Sequence, residues 1–297
     1  YEADSSNGDL ALVWLTDPAP VTAERSALYR HSDELGNVIT LVGYGLTGDG
    51  ATGYIESGTN APTKHLAENR FDTTGEGLKA AFGRSINWDP LAGSQLITDF
   101  DNGSSANDAL GVLMGLDNTG RGAAEGMIAP GDSGGPAFIG NKVAGITTYS
   151  ASLSRNGQTP DVNDQLDSSF GEIAGFQRVS HYQQWIDQSL RQMDTNAPTR
   201  SEDVVTSIQE GNSGTQLVYF LLEFNGVRSD PGQWLSVDYA TRDGTANAGE
   251  DYLAVADTLI LYPGENQATI AVEVIGDMTP EPDETFYLDV FNPVGGS

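Results

Sequence analysis

An all-β chain of two domains is the fold class this sequence predicts, and three observations predict it. At 297 residues it is long enough for about two domains, each able to bury a core of its own. Its 36 glycines and 13 prolines punctuate apolar segments that are short and often alternate with polar residues, the pattern of strands and turns. Only the stretch after Ser180 repeats its apolar residues at helical spacing.

Taken in order, Asn7-Gly8-Asp9 reads as a loop leading into a buried strand over 10–15, with an acid at its mouth. Residues 38–42 form a strand that runs into the turn Gly43-Tyr44-Gly45, and 46–90 is polar and glycine-dotted, read as loops and a hairpin. A strand over 94–100 leads into a glycine-containing loop carrying Asp99, Asp101, Asn102 and Asp108. Hard oxygens at such spacing suit calcium, but the twelve-residue EF-hand pattern is not met, and a solvated acidic turn is the favoured reading. Ala137-Phe138 and residues 143–149 flank Ile139-Gly140-Asn141-Lys142 as a hairpin, and 176–179 is a further strand. Ser180 suits the cap of a helix whose Tyr182, Trp185, Ile186, Leu190 and Met193 form a core-facing stripe.

Residues 194–202 have linker character, polar and proline-bearing without periodicity. Beyond them, 217–224, 234–239, 258–262 and 268–275 alternate as strands between Gly, Asp and Pro turns, which predicts a β-sandwich over 203–297.

With 14 basic against 42 acidic residues the chain carries a net charge of −28, a field that repels nucleic acid and anionic membrane surfaces. Such acidity suits solubility, calcium binding or salty surroundings without choosing among them. No apolar run approaches the length of a membrane span. The chain has no cysteine, so disulfides and thiolate metal sites do not contribute. It opens at Tyr1 with no charged-then-apolar leader, and the expectation is that its beginning lies upstream.

The richest stretch is Ala129-Pro130-Gly131-Asp132-Ser133-Gly134-Gly135-Pro136-Ala137-Phe138, which sets one hydroxyl among glycines between apolar flanks. Acyl transfer needs a presented nucleophile and backbone N–H groups aimed at the developing oxyanion, unobstructed by side chains. Ser133 supplies the hydroxyl, and the N–H groups of Gly131 and Ser133 the donors. Gly134 and Gly135 permit close backbone approach, and Pro136 fixes the exit. An ordinary glycine turn is the plainer alternative.

This run resembles the active-site signature of the trypsin/chymotrypsin-like serine endopeptidases, with similarity over roughly the first two thirds of the chain. The resemblance implies a domain over 1–193: the second barrel of a trypsin-like double β-barrel with its C-terminal helix, most of the first barrel being absent. It implies Ser133 as nucleophile, Gly131 and Ser133 as oxyanion hole, and Asp9, in a segment similar to the family's Asp-Ile-Ala-Leu, as triad carboxylate. The family order places the catalytic histidine before Asp9, hence upstream of residue 1, whereas His31, His65 and His181 all follow it and read as polar-loop or surface residues. By the same resemblance Asp132 pairs with a new N-terminus on activation, and Gly43-Tyr44-Gly45 is similar to the turn opening the second barrel. Met127 lies at the pocket floor, where it cannot pair with a basic side chain, although Glu125 is nearby; Thr148, Tyr149 and Ser150 form the pocket wall. A protein or peptide substrate, no cofactor for catalysis and an extracellular, bacterial-type setting follow. The order Asp9, His65, Ser133 matches subtilisin-like enzymes, but their Gly-Thr-Ser-Met motif is missing.

The second domain resembles the Calx-beta module through Glu210-Gly211-Asn212-Ser213-Gly214, Val237-Asp238-Tyr239-Ala240-Thr241, Asp243-Gly244-Thr245-Ala246, Gly249-Glu250-Asp251-Tyr252, Pro263-Gly264-Glu265 and Glu281-Pro282-Asp283-Glu284-Thr285-Phe286. The resemblance implies Glu210, Asp251, Asp277, Glu281 and Glu284 as calcium ligands. Two departures stand against it: Gly276 replaces a further aspartate, and the sequence stops at Ser297, before the expected final strand. Calcium binding and a spacer with an acidic rim both stay open. For the whole chain the two readings are a secreted serine endopeptidase and a non-catalytic adhesion or binding protein on a protease-like scaffold.

Overall fold

The computed structural model describes residues 8–56, 63–86 and 88–295. The chain divides into two compact units: Leu28–Gln183 with the described residues up to Leu12, and Val13–Ala27 with the chain from Gln184 onward. Among the described residues no helix is long and apolar enough to cross a membrane.

The first unit contains β1 (Val38–Gly43), β2 (Gly48–Asp49), β3 (Gly53–Tyr54), β4 (His65–Arg70), β5 (Thr73–Thr74), α1 (Gly75–Phe82), β6 (Gln95–Asp99), α2 (Ala109–Met114), β7 (Pro136–Ile139), β8 (Lys142–Ala151) and β9 (Ile173–Arg178). Seven strands form one antiparallel sheet in the order β4-β1-β7-β8-β9-β6-β5, and β2-β3 is a separate small hairpin. Every residue of β6 is buried, in keeping with the uncharged run from Gln95 to Thr98 that precedes Asp99. The sheet curls until β4 meets β6, where the Asn69 side-chain amide donates to the Asp99 carbonyl at 2.8 Å and to that of Gly126 at 2.9 Å. Inside the curl Ile39, Leu41, Phe71, Leu96, Ala137 and Phe176 form a core, with Phe71 edge-on to Phe176 at 5.6 Å. A second core lies under α1 and α2, built from Leu78, Phe82, Ile97, Leu110 and Leu113.

Several expectations are corrected. Residues 10–15 form no strand: none of the described strands pairs with them, and Leu12, Val13, Trp14 and Leu15 are exposed. The helices α1 and α2 were not anticipated, because each is too short for its periodicity to stand out. Caps start them: Thr74 Oγ1 accepts the Gly77 N–H, and Asp108 Oδ1 accepts that of Gly111. The third helix, α3 (Val179–Met193), begins directly from β9, so Ser180 lies inside it and donates to Glu34 rather than capping. Its Ile186 is buried, but Trp185, Leu190 and Met193 are exposed, and the division between units falls inside it.

The second unit contains β10 (Thr215–Glu223), β11 (Leu235–Asp243), β12 (Ala256–Leu261), β13 (Gln267–Ile275) and β14 (Phe286–Val294). One sheet pairs β10 with β13 and the other runs β12-β11-β14, all antiparallel. Leu235, Leu259 and Leu261 from one sheet pack with Ala268 and Ile270 from the other, so the unit is a β-sandwich. β13 buries every second residue from Ala268 to Val274, the alternation its sequence displays. Within the same unit Arg25 ties the 13–27 segment to β13 through Glu273 at 2.8 Å.

Candidate functional site

In the first unit, two consecutive turns present Ser133. The Asp132 N–H donates to the Ala129 carbonyl at 3.0 Å and the Gly135 N–H to the Asp132 carbonyl at 2.8 Å. Gly131 (φ 101°) and Gly134 (φ 80°) occupy the third position of each turn, where a left-handed backbone is needed. Ser133 is exposed. Among the described residues, the N–H groups of Gly131 and Ser133 donate to no protein acceptor. The turn is anchored by Asp132, whose carboxylate accepts the N–H groups of Gly45 at 2.7 Å and Ala129 at 2.9 Å. Gly43 and Gly45 exist to admit it: a Cβ on either would stand 1.9 or 2.6 Å from Asp132 Oδ1. The spacing of that Gly-Tyr-Gly turn was legible; its purpose as a cradle for Asp132 was not.

The remaining residues expected at this site are dispersed. Asp9 is exposed and hydrogen-bonds neither Ser133 nor a histidine. His31 lies edge-on to Tyr29, His65 is exposed on β4, and His181 packs on Tyr182, where burial, then Arg178, holds its imidazole below the usual range. Met127 lines a cleft of about 380 Å³ together with Asp132, Glu125, His65 and Phe170. Glu125 is already engaged by the N–H groups of Asp101 and Arg121. Thr148 is the bulged residue of β8 and turns its hydroxyl back to the Ile146 carbonyl, while Ser150 pairs with Ala174. Tyr149 is a packing residue, edge-on to Trp88 and donating to Gln95 Oε1 at 3.1 Å, with burial pushing its phenol well up.

The acidic residues at the end of β6 and beyond it are not a solvated turn. Asp99, Asp101 and Asp108 are 1%, 1% and 2% exposed, and only Asn102 among them is exposed.

In the second unit three of the five expected carboxylates converge. Oxygens of Asp251, Glu281 and Glu284 all lie within 4.8 Å of one another. Asp251 is set by its own loop: its Oδ2 accepts the Asn247 N–H at 2.7 Å and its carbonyl accepts the Ile275 N–H at 2.8 Å. The adjacent Tyr252, fully buried, stacks on Phe286 of β14 at 4.4 Å and donates to Asp243 Oδ1 at the end of β11, which locks that loop to both strands. Desolvation, then Asp251, Asp277 and Glu210, raises the carboxyl of Glu281; desolvation, then Asp251, raises that of Glu284. The charges of Glu210 and Asp277 thus reach Glu281, although only Asp251, Glu281 and Glu284 bring oxygens within 4.8 Å of one another. Gly276 has a steric reason, since a Cβ there would stand 2.5 Å from the Glu210 carbonyl oxygen.

A sandwich rimmed by clustered carboxylates defines an oxygen-rich class of module, and the comparisons name it. Residues 223–297 match the family model of the Calx-beta domain, so this part of the chain carries a Calx-beta domain. The sodium/calcium exchanger Calx of Drosophila melanogaster is 42% identical over 69 residues, 23% of this chain and 7% of the exchanger. Sodium/calcium exchanger 3 of Homo sapiens is 43% identical over 63 residues, 21% of this chain and 7% of the exchanger. The match thus spans under a tenth of these relatives. Among solved structures, the apo-form Calx CBD1 domain is 34% identical, covering 27% of this chain and 70% of that one, with a TM-score of 0.23. Neuropsin, a serine protease of mouse brain, is 13% identical, covering 56% and 54%, with a TM-score of 0.35.

Proposed function

We propose that the second unit is a calcium-binding module that holds the ion through Asp251, Glu281 and Glu284, with Glu210 and Asp277 completing its carboxylate shell. The observation that carries this reading is the convergence of the three carboxylates within 4.8 Å in a domain of the Calx-beta family. The donor set fits the ion: hard oxygens from several loops, mutually repelling until a divalent cation joins them. Bound calcium supplies positive charge that neutralises this rim and ties the 247–252 loop to the segment before β14. Isothermal titration of the whole chain tests it: calcium binding at or below millimolar concentration is expected, and a flat trace refutes it.

A second reading concerns the first unit and is favoured by the exposed Ser133 with its two unengaged N–H groups. It is a serine endopeptidase-type unit in which Ser133 attacks a peptide carbonyl and the N–H groups of Gly131 and Ser133 receive the oxyanion. The base must come from an imidazole other than those of His31, His65 and His181 as placed here. A fluorophosphonate probe applied to the natural full-length protein is expected to label Ser133, with Ser133→Ala abolishing the label at unchanged melting temperature. No labelling leaves the binding-scaffold alternative.

A further inference from the structure

We infer that Asp99, Asp101 and Asp108 form a site for a hard divalent cation of calcium's size inside the first unit. The site is separate from the carboxylates of the second unit and does not rest on the reading given for them. Oxygens of the three aspartates lie within 4.8 Å of one another. Two oxygens bound to one calcium at 2.3–2.6 Å stand at most about 5 Å apart, so the spacing is one that a single ion can bridge.

The burial makes the cluster more than an acidic surface. Asp99 Oδ2 accepts the Leu110 N–H at 2.7 Å, and Asp108 accepts the N–H groups of Gly111 and of Asn118, the latter at 2.9 Å. Asp101 is different: it is 1% exposed, and neither of its carboxylate oxygens has a hydrogen-bond partner. Groups so placed are paired or coordinate a metal. The neighbouring side chains do not supply that partner. Asp72 adds another carboxylate with a buried oxygen lacking a donor, and Glu125 adds a second acid whose oxygens are taken by backbone N–H groups. Arg70 is the nearby cation, but its buried Nε is itself unpartnered and no ion pair joins it to the cluster. An all-oxygen set selects a hard cation over zinc or copper.

The test uses the full chain carrying Glu281→Gln and Glu284→Gln, which disables the second-unit cluster, with and without Asp101→Asn. Calorimetric titration with calcium chloride is expected to show one equivalent fewer in the Asp101→Asn chain. Saturating calcium is expected to raise the melting temperature by several degrees in the parent alone. Should Asp101→Asn lose its near-ultraviolet circular dichroism, Asp99→Asn takes its place, since an amide oxygen still accepts the Leu110 N–H. The proposal is overturned if the parent binds no calcium at about 1 mM, or if the aspartate variant binds as the parent does. A variant that is simply more stable, in a parent blind to calcium, means that shared protons hold the cluster, and this also overturns it.

Discussion

Gly276 lies so close to Glu210 that a Cβ built on it would stand 2.5 Å from the Glu210 carbonyl oxygen and 3.1 Å from the Ser213 nitrogen. The glycine brings the segment after β13 against the 210–214 turn, and the Gly276 N–H donates to the Gly214 carbonyl at 2.9 Å. Installing an aspartate at position 276 must therefore separate these segments. Gly276→Asp is expected to lower stability by about 1–3 kcal/mol and to weaken calcium binding despite the added carboxylate. Thermal denaturation and calorimetric titration check the two halves of this prediction.

Glu281 and Glu284 repel Asp251 in the metal-free protein. Glu281→Gln or Glu284→Gln is expected to leave the calcium-free melting temperature equal or higher while weakening calcium binding at least about tenfold. Both carboxyls are raised above the usual carboxylate range, by desolvation and then by Asp251, so protons compete with calcium as pH falls. Affinity is therefore expected to fall as pH drops through the weakly acidic range, more steeply in the native chain than in either variant.

Glu172 is fully buried, and its carboxyl is pushed up from 4.5 to about 7, chiefly by burial and against the N–H groups of Asp167 and Ser169 that its Oε1 accepts. A raised carboxyl stabilises the fold while both states hold the proton, and that contribution is lost as pH climbs through the folded value. Relative to Glu172→Gln, the native chain is expected to lose a few degrees of melting temperature between about pH 4.5 and 7. Parallel curves for the two chains across that window contradict the assignment.

Glu34, with no exposure, accepts the Arg178 guanidinium and the Ser180 hydroxyl, tying the 28–34 segment to the start of α3. Glu34→Ala leaves the Arg178 side chain, 13% exposed, without its counter-charge. A loss of about 3–5 kcal/mol in chemical denaturation is expected, and a change below about 1 kcal/mol would show the pair to be incidental.

What could be read from the chain was local. The hairpin of β7 and β8, β6, the helix after β9, and four of the second unit's strands follow from periodicities of two and 3.6 that a handful of neighbouring residues display. A tight turn at Ser133 was legible as well, because Pro130 fixes its own φ and Gly131 and Gly134 admit left-handed angles; that it is two consecutive turns is the structure's finding. The sandwich strand β14 was missed because its Tyr287 and several later residues are exposed, leaving little alternation to see. The segment over 10–15 misled for the opposite reason: an apolar run signals a strand only where another strand accepts its hydrogen bonds.

The sequence by itself determined an acidic, cysteine-free, strand-rich chain with Ser133 set in a glycine turn, and its resemblances singled out Glu210, Asp251, Asp277, Glu281 and Glu284. Tertiary structure decided which of these groups meet. Asp251 reaches Glu281 and Glu284, which lie 30 and 33 positions further along the chain, and the aspartates at and after the end of β6 are buried rather than solvated, because sheet curl and strand pairing bring distant backbone together. Burial is a property of what lies opposite a residue, and no window of neighbouring side chains contains that information.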